Sequence, residues 1–288
     1  MSIIHPDNSY PTSEKNGDSR SETPASLPTE SPAAPQLTAV TAPVGPPPAK
    51  PGVWGGWTTV GFGAAIFAIY FVTQSIVAIV FTVTKLINNP SLPAGQAISA
   101  LSSDGLLISI VTIVSAIAGT GFIILFIHIR KGPGIADYLG FKSMRSRTYG
   151  MLALVILGLA VLSFIADYFF NTPRDTSFTV DAYQTSRWPV LLGIAVVLFA
   201  PVFEECFFRG FVFVGLRASK VGAVGAIVLT ALAWALLHLQ YDVYGMTTIF
   251  VLGIVFGIVR LKTGSLWSTL ILHMAWNLIA IVAVAVSS

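Results

Sequence analysis

The chain has 288 residues, of which 54% are hydrophobic and only 10% charged, and its mean hydropathy is +0.78. This composition excludes an ordinary soluble domain and indicates an integral membrane protein. The net charge of +3 and the lack of a nucleic-acid-binding pattern predict no nucleic-acid partner, and a single cysteine, Cys206, excludes an intrachain disulfide.

The first 52 residues differ from the rest because they are rich in Pro, Ser, Thr and Ala. Such a segment cannot bury enough apolar surface to offset its ordering entropy, so we predict a disordered cytoplasmic tail over 1–52. It lacks the basic stretch and apolar run of a secretory signal peptide. Residues 53–288 are predicted to form one helical membrane domain.

Seven apolar segments follow, and each is predicted to be a helix because lipid cannot satisfy open backbone groups. Most reach the roughly 20 residues that cross about 30 Å of hydrocarbon. The predicted fold class is therefore an all-α polytopic membrane protein with about seven transmembrane helices. The predicted spans are 57–84, 106–129, 149–170, 188–216, 221–239, 243–260 and 265–286, and the stretch 171–187 is predicted to be an irregular outer loop.

Loop charges predict the orientation, because Lys and Arg are enriched in cytoplasmic loops. The connection after the second segment is strongly basic, and alternation places two later basic loops on the same side. The amino terminus is then cytoplasmic and the carboxyl terminus is outside. The basic residues on the predicted inner side are Arg130, Lys131, Lys142, Arg145, Arg147, Arg217, Lys220, Arg260 and Lys262.

The fourth segment contains two adjacent acids, Glu204 and Glu205, followed by Arg209. A charge at mid-bilayer costs roughly 2.5–3.5 kcal/mol on insertion scales, so such residues indicate function. Adjacent helical residues diverge by about 100°, whereas Glu205 and Arg209 are spaced i,i+4 and can pair. Glu204 is then left for a cavity, where it suits a general base. Pro201 predicts a kink and a freed carbonyl nearby.

Two later segments each contain a polar motif. His273 and Asn277 are spaced i,i+4, share a helix face and could stabilise an oxyanion. His238 can orient a water molecule. Helix lengths place His238 close to the outer face, about 26 Å from Val221, whereas Glu204 and His273 lie deeper. The three sites meet only if the fifth helix has different bounds.

Together the three motifs resemble those of the CPBP family, which comprises CAAX proteases and bacteriocin-processing enzymes and is also called the ABI family. The motifs are Glu204-Glu205-x-x-x-Arg209, Trp234-x-x-x-His238 and His273-x-x-x-Asn277. They lie within 188–280, the predicted core of a protease domain. The second motif more often begins with Phe in the family, and Trp234 departs from that pattern.

The resemblance implies an intramembrane endopeptidase, and the best-known members cleave prenylated CAAX proteins. By motif position, Glu204 would activate water with the help of His238. The oxyanion site would consist of His273 and Asn277. The supporting residues would be Glu205 and Arg209.

A zinc ion is an alternative that the residues leave open, because Glu204, His238 and His273 could act as three ligands. We favour a glutamate-activated water without a metal, since the first motif lacks the His-Glu-x-x-His pattern. A narrower alternative uses Cys206 as a nucleophile. Cys206 lies about 200° around the helix from Glu204 and is predicted to face away from its cavity.

The predicted substrate is a membrane-anchored or lipidated protein or peptide, in contact with the bilayer. We predict the plasma membrane of a prokaryote, where the substrate would differ from a prenylated CAAX protein. Two other functions are considered: a proton-coupled transporter, because Glu and His chains also relay protons, and a non-catalytic immunity or scaffold protein of the same family. The sequence does not indicate the oligomeric state.

Overall fold

The computed structural model describes residues 53–99, 101, 103–170 and 177–287. The predicted tail, 1–52, lies outside the described residues. Every regular element within them is helical. In chain order the helices are α1 Gly56–Asn88, α2 Ala94–Ser99, α3 Gly105–Ile129, α4 Ile135–Leu139, α5 Ser146–Phe170, α6 Ser177–Thr185, α7 Pro189–Arg217, α8 Gly222–Leu236, α9 Val243–Thr263 and α10 Leu266–Ser287.

Six of these helices are long and apolar enough to cross a membrane: α1, α3, α5, α7, α9 and α10. The predicted all-α membrane fold is confirmed, and each of the seven apolar segments contains a helix. The fifth predicted segment is shorter than expected, because α8 has 15 residues and ends at Leu236. At 1.5 Å per residue, α8 is about 22 Å long and does not span the hydrocarbon layer if it stands upright.

Two further boundaries differ from the sequence-based expectation. Part of the stretch predicted to be an irregular loop is the helix α6, while residues 171–176 lie outside the described ranges. The sixth segment, expected to be short, is the 21-residue helix α9. Asp242 caps its first turn by accepting from the backbone N–H of Gly245 at 2.7 Å, and Gly264 ends it with a φ of +66°.

α7 is the most buried of the six long helices, and α1 and α5 are the least buried. Aromatic residues of α7 fill the space between it and its neighbours. Phe203 stacks on Tyr70 of α1 with ring centroids 4.3 Å apart. It also packs over Gly119 of α3, where a Cβ atom would lie 2.4 Å from the ring. The charged motif of α7 therefore lies at the centre of the helix bundle.

α8 and α9 form an antiparallel hairpin joined by the turn 237–242. Gly253 of α9 lies against Ala231 of α8, and Gly257 lies against Ile227 one turn earlier in α8. These contacts lie within one chain, as expected for the Gly253-x-x-x-Gly257 pattern. The two glycines bring the backbones close together, and this contact positions the second motif beside α7.

Candidate active site

The helical winding of α7 changes where it carries the two adjacent acids. π-helical turns cover Ala195–Phe199 and Glu205–Val212, with the α-helical stretch Ala200–Glu204 between them. Pro201 lies in that stretch and has no N–H to donate to the preceding turn. Turns of the π type are wider than α-helical turns and often occur at functional sites. They turn Glu204 and Glu205 toward different surroundings.

Glu205 and Arg209 form the buried ion pair that their spacing predicts. Nη1 of Arg209 donates to Oε1 of Glu205 over 3.1 Å, and both side chains are fully buried. The same oxygen lies 3.0 Å from Nδ1 of His273. An ionised carboxylate only accepts hydrogen bonds, so the proton at this contact belongs to Nδ1. Glu205 therefore orients the imidazole of His273 as well as the arginine.

Glu204 lies on the cavity side of this pair. Nε1 of Trp234 donates to Oε2 of Glu204 over 2.5 Å, and Nε2 of His273 lies 3.8 Å from the same oxygen. His273 is thus placed between the two carboxylates, with one ring nitrogen toward each. The side chain of Glu204 keeps about 17% of its surface exposed, whereas His273 keeps 3%. Of the two acids, only Glu204 is accessible to a molecule in the cavity.

His238 follows the end of α8, in the turn before α9. Its Nδ1 lies 2.8 Å from the carbonyl oxygen of Trp234. Because a carbonyl only accepts, Nδ1 carries the proton and Nε2 of a neutral ring is left with its lone pair. The ring stacks on Tyr241 at 6.2 Å and lines the same cavity as Glu204. His238 and Glu204 therefore meet at one cavity, although the predicted helix lengths had separated them.

Asn277 bridges α10 and α7. Its Nδ2 donates to the carbonyl oxygen of Val196 over 2.9 Å. Val196 lies in the first π-helical turn, where the i+5 donor would be Pro201, which has no N–H. Asn277 thus satisfies a carbonyl that the helix itself cannot. An amide nitrogen carries two hydrogens, so the second remains for a group in the cavity.

The cavity has a volume of about 550 Å³. Four of the predicted site residues line it, while Glu205 and Arg209 lie behind its wall, and Cys206 is buried outside the lining. The rest of the lining is mostly apolar and aromatic and comes from several helices. Its aromatic members are Phe67, Tyr70, Phe71, Phe178, Phe203, Phe208, Trp234, Tyr241 and Trp276.

Comparison with protein families gives a match that covers all three motifs. Residues 186–279 match the family model described as type II CAAX prenyl endopeptidase Rce1-like. The similarity covers residues 186–279, which are called the Rce1-like segment from here on. The match confirms the resemblance that the motifs indicated. Searches of curated proteins and of solved structures returned no match.

The Rce1-like segment does not enclose the cavity by itself. Helices α1, α3 and α6 precede residue 186, and they contribute part of the wall, including Tyr70, Val111 and Phe178. Phe178 contacts Tyr241 edge-to-face at 5.9 Å, and Thr179 lies 3.4 Å from the hydroxyl of Tyr241. The candidate site residues therefore lie within residues 186–279, and part of the cavity wall comes from helices that precede them.

A zinc ion would need Glu204, His238 and His273 to converge on one point. Within the described ranges, no three His, Cys, Asp or Glu side chains are grouped so that they could hold a metal ion. The placed residues do not fit the predicted zinc alternative, and we derive no step through a metal.

Sequence reasoning missed two residues that organise this site. Trp234 was singled out only because it departs from the family pattern, although an indole N–H is a donor that a phenyl ring lacks. Arg260 was counted as a loop cation, but its side chain is buried. It donates to the carbonyl of Arg209 over 3.1 Å and to that of Leu139 over 3.0 Å. Its position within an apolar helix was the available signal.

Proposed function

We propose that the protein is an intramembrane endopeptidase of the CAAX-protease type, which hydrolyses a peptide bond in a membrane-associated or lipidated substrate. The observation that carries the proposal is the cavity inside the helix bundle. It brings Glu204, His238, His273 and Asn277 together within the Rce1-like segment. In this arrangement Glu204 can act as the base and His238 can help to hold the water molecule. His273 and Asn277 can donate hydrogen bonds to the oxyanion, so the set meets the requirements of hydrolysis.

In the proposed first step, a water molecule lies between Glu204 and the free Nε2 of His238. Glu204 takes a proton from the water as its oxygen attacks the carbonyl carbon. The new C–O bond forms, and the π electron pair of the carbonyl moves to its oxygen. In the second step the oxyanion re-forms the C=O bond, the C–N bond breaks with its electron pair leaving on nitrogen, and that nitrogen takes the proton held by Glu204. Atoms and charge are conserved over the two steps, and no further reactant is needed.

The oxyanion formed in the first step needs hydrogen-bond donors. Asn277 has one amide hydrogen left beside its bond to Val196. His273 has Nδ1 engaged with Glu205, so its Nε2 donates when the ring carries a second proton. Losing one oxyanion donor costs about 100- to 1,000-fold in kcat in other hydrolases.

The proposed substrate follows from the position of the cavity within helices that cross the membrane. Its apolar and aromatic lining suits a lipid chain or an apolar peptide segment, while the charged residues line one part of it. We propose a prokaryotic plasma-membrane protein with a cytoplasmic amino terminus. A prokaryotic substrate would then carry a group other than the prenyl chain of eukaryotic CAAX proteins.

The test is cleavage of a panel of fluorogenic, lipid-tagged peptides by the full chain in nanodiscs. Wild type is compared with Glu204→Gln and His238→Ala, each with and without a chelator. Matched controls are Asp137→Asn and His128→Ala, because both residues are exposed and neither lines the cavity. We expect both site variants to lose at least about 100-fold in kcat, both controls to match wild type, and the chelator to have no effect.

Other outcomes point elsewhere. Loss of activity with the chelator, restored by zinc, would favour a metal-dependent peptidase. Inactivation by thiol reagents and by Cys206→Ala would favour the cysteine nucleophile. If folded wild type cleaves no peptide, the endopeptidase proposal fails for these substrates. Proton flux in vesicles would then identify the transporter alternative, and its absence would leave the non-catalytic scaffold.

A further inference from the structure

Trp234 contacts four polar residues of the site, namely Glu204, Arg209, His238 and His273. Its side chain is buried, with 3% exposed. The ring contacts His273 edge-to-face at 5.0 Å and His238 edge-to-face at 5.6 Å. The Cζ atom of Arg209 lies 4.4 Å from the ring centroid. Trp234 therefore has a defined orientation, set by its neighbours on several sides.

The indole N–H points at Glu204 and not at any other acceptor among the contacts described. The Nε1–Oε2 contact is within hydrogen-bond distance. A bond from a donor to a carboxylate is stronger than a neutral one. The guanidinium over the ring also draws electron density from the indole, which makes the N–H a better donor. This contact restrains the torsion of the Glu204 carboxylate.

Fixing one carboxylate oxygen determines which oxygen can react. Oε2 accepts from Trp234 and faces Nε2 of His273, so it is surrounded by protein groups. Oε1 is the oxygen that remains for a water molecule. Phenylalanine at this position would keep the ring against Arg209 but would leave the carboxylate free to rotate.

We propose that Trp234 is a positioning residue of the reaction, whose indole N–H holds Oε2 of Glu204 so that Oε1 accepts the proton of the attacking water. The inference rests on the proposed endopeptidase function. It assigns to this chain a contact that the more common phenylalanine cannot make. Trp234 itself touches neither the water nor the scissile bond.

The first test detects the hydrogen bond without any activity. The full chain is labelled with 15N-tryptophan and its indole N–H resonances are recorded in nanodiscs. The chain has six tryptophans, and Trp234→Phe and Trp267→Phe each assign one resonance by its loss. Trp267 is half-exposed and packs on Phe141. We expect Glu204→Gln to move the Trp234 resonance upfield, because an amide accepts more weakly than a carboxylate, and to leave that of Trp267 unmoved.

The second test is kinetic and uses the best-cleaved peptide of the panel. We expect Trp234→Phe to lower kcat about 10- to 100-fold, the scale of a lost hydrogen bond to a charged group, with KM within about twofold. Trp267→Phe should retain the kinetics of wild type. A structural role alone would lower the folded fraction of Trp234→Phe and not its kcat per folded molecule, which is measured after size-exclusion chromatography.

A Trp234 resonance that does not respond to Glu204→Gln would overturn the proposal, and so would wild-type kcat in Trp234→Phe. If Trp234→Phe fails to fold, the comparison of wild type with Glu204→Gln still decides on the hydrogen bond, with the Trp234 resonance assigned by Trp234→Tyr. A folded wild type that cleaves no peptide of the panel overturns the endopeptidase proposal for these substrates, and the positioning role with it. The resonance then reports the contact alone, so the two failures are distinguishable.

Discussion

Two adjacent glutamates of α7 have different surroundings, and the difference lies in which groups surround each carboxylate. Glu205 is fully buried and faces a guanidinium and an imidazole N–H. The arginine is also flanked by aromatic rings, with Trp234 at 4.4 Å and Phe256 at 5.6 Å. A buried charge is tolerated only when such partners replace water. Glu205 thus has a supporting role, and Glu204 alone remains accessible.

The buried ion pair between Glu205 and Arg209 is expected to contribute to the free energy of unfolding. Arg209→Met leaves Glu205 buried without its cation, so we expect the free energy of unfolding to fall by about 3–5 kcal/mol. In the double variant Glu205→Gln and Arg209→Met, no uncompensated charge is left at the pair, and the loss should be smaller than in the single variant. Denaturant unfolding in detergent measures both. Equal losses in the single and double variants would contradict a charge-pairing role.

At the scale of elements, the close contact between α8 and α9 places the second motif. A Cβ atom on Gly253 would lie 2.8 Å from Cβ and 2.9 Å from Cα of Ala231, and 3.3 Å from Cε3 of Trp234. Distances below 3 Å to backbone require the helices to separate. The close contact between α8 and α9 therefore requires that residue 253 has no side chain, and the position of Trp234 depends on that contact.

We expect Gly253→Ala to lower the free energy of unfolding by about 1–3 kcal/mol through overpacking. It should also reduce peptide cleavage, because α9 then pushes Trp234 away from Glu204. The matched control is Gly158→Ala in α5, where the new Cβ meets no atom within 4 Å. That variant should be neutral, or more stable by up to about 1 kcal/mol. If both variants unfold at the same denaturant concentration, the packing argument is wrong.

At the scale of the whole molecule, Arg260 connects three parts of the chain that are distant in sequence. From α9 it donates to the carbonyl oxygen of Arg209 in α7 and to that of Leu139 at the end of α4. Gly140, with a φ of +81°, lies directly against the guanidinium, where a Cβ would lie 2.3 Å from Nη2. The N–H of Leu266 donates to the carbonyl of Gly140 over 2.7 Å. The buried guanidinium of Arg260 therefore links α4, α7 and α9 at this end of the molecule.

Arg260→Lys tests this connection. A lysine is a point donor and cannot reproduce the planar fork of a guanidinium, so at least one buried carbonyl loses its partner. We expect a loss of about 1–3 kcal/mol in the free energy of unfolding. Lys262→Ala, at an exposed position two residues away, serves as the control and should change little. A variant Arg260→Lys as stable as wild type would show that the fork geometry is not needed.

The amino-acid sequence by itself determined the membrane class and the existence of the helices, and it supplied the candidate residues of the site. Apolar composition and segment length are properties of the chain alone, and they indicate helices because a bilayer satisfies no open backbone group. The pair Glu205 and Arg209 was predictable for a similar reason, since i,i+4 neighbours meet on any helix. The family resemblance was predictable from three motifs in order.

Hydropathy misplaced the end of α8, because apolar residues continue to Leu239. The helix stops earlier because His238 folds back and donates to the carbonyl of Trp234 over 2.8 Å. The same carbonyl also accepts from the backbone N–H of Leu237 over 3.2 Å, so the last turn of α8 leaves it paired.

Only the tertiary structure decided how the motifs meet. Trp234 contacts Glu204 across 30 positions, His273 contacts Glu205 across 68 and Asn277 contacts Val196 across 81. No helical period relates residues so far apart, because their contact depends on the crossing of α7, α8 and α10. Local spacing shows which residues share a face, and packing alone shows which faces meet.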